Sequence, residues 1–140
     1  DLFAANIRAY FLTCREASPY LAKGASIINF SSITTHIGPE EMSTYVATKA
    51  AAIGLSRSLA RELGPRRIRV NIISPGWIMT ERQLREHVTP AIKRGLYRDQ
   101  CIPDLNQAEE VADVALFLAS DASRAMTGQE FIVDRGWIHG

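Results

Sequence analysis

STYVATKAAAIGLSRSLARELG, residues 43–64, is a helix by its local signs. Alanine, leucine, arginine and lysine dominate it, and Gly64-Pro65 supplies a stop. Near its start Tyr45 and Lys49 stand four residues apart, which places a phenol and an amine on one face, one turn apart. Two apolar runs flank this helix, SIINF at residues 26–30 and IRVNIIS at residues 68–74. Each is short and suits a strand buried on both faces. Strand, helix and strand in that order predict a parallel pair joined by a right-handed crossover.

The rest of the chain extends this unit. Before it, Phe3, Ile7, Tyr10, Phe11 and Cys14 recur at helical spacing over residues 1–17, with Pro19 beyond. Residues 31–41 form a polar loop holding Gly38 and Pro39. Residues 80–100 predict one or two helices, restarted at Thr89-Pro90. Asn106 with Glu109 predicts a capping box for a helix through Ala119, its apolar face made of Val111, Val114, Ala115 and Leu118. EFIVD, residues 130–134, is a third strand.

The expected fold class is therefore α/β, with about three parallel strands and flanking helices. Such a sheet leaves one edge without a neighbour, which calls for further chain or a partner to cover it. The first residue already lies inside an amphipathic pattern, so the chain reads as starting in the middle of a fold.

Composition narrows the function classes. The 140 residues carry a net charge of +1, too little for a broad field that would recruit nucleic acid or an anionic membrane. The arginines of residues 61–69 alternate with Glu62 and apolar residues, as on a solvated helix end. Cys14 and Cys101 form neither a metal-ligand spacing nor a disulfide framework, which predicts a reducing, cytoplasmic setting and no metal. No apolar run is long enough to span a bilayer.

Ser31 and Ser32 follow the first strand at its carboxyl end, where open α/β sheets place ligands, and Ser74-Pro75-Gly76 closes the second strand at the same rim. A phenol assisted by an amine and a hydroxyl suits proton exchange with an alcohol or carbonyl oxygen. A free phenol titrates near pH ~10, so such chemistry at neutral pH needs a neighbouring ammonium to favour the phenolate. Lys49 is placed to supply it, and Ser32 to steady the reacting oxygen.

NFSS (29–32), YVATKAA (45–51) and RVNIISPGWIMT (69–80) resemble the second half of a classical short-chain dehydrogenase/reductase. AANIRAYF (4–11) resembles that family's helix carrying a catalytic Asn, and the likeness spans essentially the whole chain. The resemblance implies the second half of a doubly wound, Rossmann-like sheet, residues 1–140 being the C-terminal catalytic portion of a single Rossmann-type domain, with a catalytic set of Asn6, Ser32, Tyr45 and Lys49. Tyr45 would be the general acid/base, and Lys49 would also bind the cofactor ribose. Ser32 would contact the substrate oxygen, and Asn6 would hold a water linking Lys49 to solvent. Read alone, Asn6 is rather a helix residue bonded to backbone. Pro75, Gly76, Ile78 and Thr80 fall where the family lines the nicotinamide of NAD or NADP. The implied partners are a small alcohol or sugar and further copies of the chain, as a homodimer or homotetramer in which long helices pack together.

A narrower likeness joins WIMTERQ (77–83), QCIPD (100–104) and FIVDRGW (131–137) to the aldose 1-dehydrogenases, which oxidise the anomeric hydroxyl of a cyclic sugar to a lactone. His36 would then face the substrate, or else be an exposed loop imidazole. Trp77 and Trp137 would stack on a sugar face, or else fill core or interface positions. Two departures stand out. The family's glycine-rich phosphate turn is not among these residues, so the dinucleotide-binding half is expected to be absent from the chain. Arg135 stands where the family usually has Gly, at a cost of ~1 kcal/mol or more if positive φ is needed there. The alternative function is a non-catalytic fragment or assembly module, whose helix could approach a partner closely at Ala47, Ala50, Ala51, Ala52 and Gly54.

Overall fold

A three-stranded parallel sheet organises the chain, with β2 (Arg69–Pro75) in the middle. β1 (Ser26–Phe30) pairs on one side, Ser26 opposite Arg69 and Phe30 opposite Ile73. β3 (Glu130–Val133) pairs on the other, Ile72 opposite Glu130 and Pro75 opposite Val133. This computed structural model describes residues 1–139. The expected α/β class and parallel pairing are both present.

Around the sheet lie α1 (Ala9–Ala17), which a π-helical stretch (Ala4–Arg8) precedes, α2 (Thr34–Ile37) and α3 (Ser43–Leu63). α4 (Glu81–Glu86), α5 (Pro90–Asp99) and α6 (Ala108–Ala119) follow. Alternation along β2 sends Val70 to one face and Ile73 to the other. Val70 packs with Ala60, Leu63 and Ile68 under α3, and Ile73 packs with Val111 and Leu118 of α6. Covered on both faces, β2 is buried from Arg69 to Ser74.

Three local expectations need correction. β1 is not buried on both faces: Asn29 is buried but Phe30 is exposed, because β1 is an edge strand with no outer neighbour among the described residues. The polar loop contains a helical turn, α2, closed by Gly38 at φ 63°. α3 does stop at Gly64 as expected, with Gly64 itself right-handed and the left-handed residue being Arg67, reached after a 3-10 turn over Gly64–Arg66. The capping box sits one residue later than expected. Glu110, not Glu109, accepts from the Gln107 backbone N–H at 2.8 Å, while Asn106 is buried and bridges to Ile78. One residue of register is beyond what a capping pattern specifies when Asn and Gln are adjacent. The condition attached to Arg135 is met: its φ is 57°, and its guanidinium is paired with Glu110, which offsets part of the strain.

Candidate active site

The carboxyl ends of β1 and β2 open onto a cavity of about 1030 Å³. Ser32 reaches it because the chain continues beside β2 after β1 ends. Ser31 N donates to Ile73 O at 2.8 Å, and Ile33 N donates to Pro75 O at 3.2 Å. Ser32, 8% exposed, is held by the Thr34 backbone N–H, which donates to its Oγ at 3.2 Å. Tyr45, in the first turns of α3, lines the cavity together with Gly76, Ile78 and Thr80. Gly76 cannot be larger, since a Cβ there would lie 2.9 Å from Asp134 Cβ and 3.0 Å from its Cα.

Lys49 lies one turn beyond Tyr45 and is 9% exposed. Its Nζ stands 5.7 Å from the centre of the Tyr45 ring and 5.8 Å from that of Tyr10, within cation–π range of both. The ammonium donates to Phe30 O at 3.2 Å, and the Tyr10 hydroxyl donates to the same carbonyl at 3.1 Å. Burial pulls the Lys49 pKa below its ordinary value of 10.5 and pushes that of the Tyr10 phenol up. A desolvated ammonium holds its charge at a cost, so an anionic partner beside it gains more than in water.

Asn6 joins this set through an intermediary. Its Nδ2 donates to Thr48 Oγ1 at 3.0 Å, and the fully buried Thr48 hydroxyl donates to Tyr45 O at 2.8 Å. The π-helical stretch carrying Asn6 is thereby pinned to the turn of α3 that bears Tyr45 and Lys49. Thr48 was missed in the sequence, where a Thr inside an alanine-rich helix carries no signal beyond its capacity to bond the preceding turn.

Of the expected site residues, Ser32, Tyr45, Gly76, Trp77, Ile78 and Thr80 line the one cavity, and Lys49 stands behind Tyr45. Pro75 does not line it; this residue ends β2 opposite Val133. His36 is not aimed at the cavity either, contrary to its expected contact with substrate. Its Nε2 lies 2.8 Å from Glu130 Oε1, a carboxylate that also accepts from Ser74 Oγ at 2.6 Å. A half-exposed imidazole gains more from a carboxylate only 10% exposed than from an open cavity. The cavity also has walls that the sequence did not single out, notably Met42, Gln83 and His87, and it includes Trp137. Gln83 Oε1 accepts from the Trp77 indole N–H at 2.9 Å. Among the described residues no cluster of His, Cys, Asp or Glu could hold a metal ion, and no helix is long and apolar enough to cross a membrane.

A phenol, a charged amine and a serine hydroxyl beside a large cavity can exchange a proton with a bound hydroxyl or carbonyl and orient it. Known proteins share this arrangement of chain. The chain is 42% identical over 138 residues to a probable galactose dehydrogenase of Rhizobium meliloti, covering 97% of this chain and 54% of the relative. It is 39% identical over 134 residues to D-xylose 1-dehydrogenase of Caulobacter vibrioides, covering 94% and 54%. The solved structure of a 4-hydroxyisoleucine dehydrogenase complexed with NADH matches with a TM-score of 0.88 at 32% identity, over 99% of this chain and 58% of that one. The chain thus spans about half the length of the curated relatives it matches. The family described as enoyl-(acyl carrier protein) reductase matches residues 1–138. With its parallel sheet, its Ser32–Tyr45–Lys49 constellation and these relatives, the chain belongs to the short-chain dehydrogenase/reductase family.

Proposed function

We propose that the protein carrying this chain is an NAD- or NADP-dependent dehydrogenase that oxidises the anomeric hydroxyl of a cyclic aldose to the lactone. The observation that carries this reading is the shared cavity, lined by Ser32 and Tyr45 together with Gly76, Ile78 and Thr80 and with Trp77 and Trp137, which are available to a sugar ring. The printed names of the galactose and xylose dehydrogenases support the substrate class, and the NADH complex of the solved relative supports the cofactor.

The residues present fit the nicotinamide end of the cofactor. Gly76 leaves the wall beside the cavity without a side chain, and Thr80 lines the cavity where the chain leaves the sheet. When bound, the nicotinamide supplies the hydride acceptor. The rest is the work of the chain. Ser32 Oγ donates to the reacting oxygen and fixes it near Tyr45. The hydroxyl proton passes to the Tyr45 oxygen as the carbon–oxygen double bond forms. Lys49 favours the ionised phenol and binds the cofactor ribose, and Asn6 supports a water path from Lys49 to solvent. The dinucleotide phosphates would be held by residues outside these 140, since no glycine-rich turn occurs among them.

The same reading makes the protein a homo-oligomer of a reducing, cytoplasmic compartment. Phe3 and Phe11 are exposed and line a shallow hollow with Ala51 and Leu55 of α3, and the small residues Ala47, Ala50 and Gly54 of that helix are exposed as well, surfaces suited to close packing against a second copy. Because proton donor, hydroxyl and cavity all lie within the chain, a purely structural role leaves that cavity unaccounted for. The test is an assay of the full-length protein with NAD⁺ and NADP⁺ against a panel of aldoses, with a 3-oxoacyl thioester and NADPH as the contrasting pair. Formation of reduced nicotinamide with an aldose is expected. Turnover of the thioester with none of any aldose would overturn the substrate class.

A further inference from the structure

Trp77, Thr80 and Gln83 recur at intervals of three where the chain leaves β2 and enters α4, and the geometry ties them into one unit. Thr80 is the N-cap of α4, its Oγ1 accepting from the Gln83 backbone N–H at 3.3 Å. The Gln83 side chain folds back over that first turn, and its Oε1 accepts from the Trp77 indole N–H at 2.9 Å. All three residues line the cavity that holds Tyr45 and Ser32, and both members of the pair are half-buried. The backbone bond sets where the helix starts, and the side-chain bond sets how the indole lies.

We propose that Gln83 is a positioning residue that fixes Trp77 as an apolar platform for a ring-shaped, hydroxyl-bearing substrate, a role that rests on the dehydrogenase reading above. An indole in a cavity has one donor and a broad apolar face. With the donor committed to Gln83, Trp77 offers substrate its ring and no hydrogen bond. The ring's two side-chain torsions are then held before substrate arrives, so less ordering is needed on binding. The same cap residue, Thr80, stands at the expected nicotinamide wall, so this short turn joins the cofactor side of the cavity to its substrate side. Gln83 touches none of the atoms that change bonds. It acts through Trp77, and its effect belongs in substrate affinity.

The experiment compares Gln83→Leu and Gln83→Glu with wild type in the full-length protein. Both variants retain the backbone N–H that caps α4, and glutamate retains an oxygen for the indole. Gln83→Leu is expected to raise the sugar KM roughly tenfold, the scale of one well-placed polar contact. Its kcat and cofactor KM should change less than about twofold. Gln83→Glu should recover most of the loss. The indole N–H proton resonance of Trp77, assigned by its loss in Trp77→Phe, should move upfield and exchange faster in Gln83→Leu but not in Gln83→Glu. An indole signal unaffected by Gln83→Leu overturns the contact, whatever the kinetics. A shifted signal with an unchanged sugar KM, or a fall in kcat alone, overturns the positioning role. Wild-type protein that turns over no sugar overturns the aldose reading, and the role of Gln83 with it, an outcome separate from any effect of the variants.

Discussion

His36 and Glu130 are joined at 2.8 Å, tying the turn of α2 to the first residue of β3 across 94 positions of sequence. Arg57 of α3 stands 4.0 Å from the same carboxylate, so three elements meet there. The consequence is structural. His36→Ala should lower stability by about 1 kcal/mol, modest because the imidazole is partly solvated and Glu130 keeps Ser74. The sugar KM should stay within about threefold of wild type, under ~1 kcal/mol of binding. Denaturant unfolding and steady-state kinetics on one preparation check both parts. A large rise in KM without loss of stability would return His36 to the substrate.

Tyr45→Phe removes one oxygen from the cavity wall and leaves the ring against Lys49. Loss of a general acid/base typically costs 10²–10⁴-fold, so kcat should fall by about that factor. Cofactor affinity, measured by titration with the reduced nicotinamide, should change less than about threefold, equivalent to under ~1 kcal/mol. Unaltered turnover would remove Tyr45 from the chemistry.

Lys49 makes stability depend on pH in a fixed direction. Burial depresses its pKa in the folded protein below the ordinary 10.5, so between the two values the unfolded chain binds more protons than the folded one. Stability therefore rises with pH across that window. Below it, the folded protein carries the full penalty of the buried charge. The stability of wild type relative to Lys49→Met should accordingly increase as pH climbs towards 10.5, read from denaturant midpoints of both proteins at each pH. A constant difference would mean that the ammonium is solvated.

Gly76→Ala tests the packing behind the cavity. The added methyl group meets the backbone of Asp134, a residue 4% exposed whose carboxylate accepts from the Gly136 and Ile138 N–H groups at 2.9 and 2.7 Å. Neither side yields readily, so the variant should lose about 1–3 kcal/mol, the usual cost of overpacking. A lowered thermal midpoint with weakened cofactor binding is expected, because relief is available only by pushing residue 76 into the cavity. An unchanged midpoint would show that Asp134 moves freely.

The elements themselves were legible because local rules write them. Three short apolar runs, a long helix and a proline restart at Thr89-Pro90 became β1 to β3, α3 and α5. Tyr45 and Lys49 share a face by helix geometry alone, and Ser32 follows its strand by count. Less local matters escaped. The burial of β1 depends on a neighbour that no residue within it names, and the capping box slipped by one residue where Asn106 and Gln107 offer similar side chains.

What the amino-acid order determined by itself, then, is the alternation of strands and helices and the presence of a phenol, an amine and a hydroxyl at one sheet rim. Only the tertiary structure decided which polar side chains face the cavity. It sent His36 to Glu130, placed Thr48 between Asn6 and the backbone of Tyr45, and set Gln83 against Trp77. The physical reason is reach. Periodicity assigns a face within one element, whereas a hydrogen bond is chosen among all the partners that folding brings within about 3 Å.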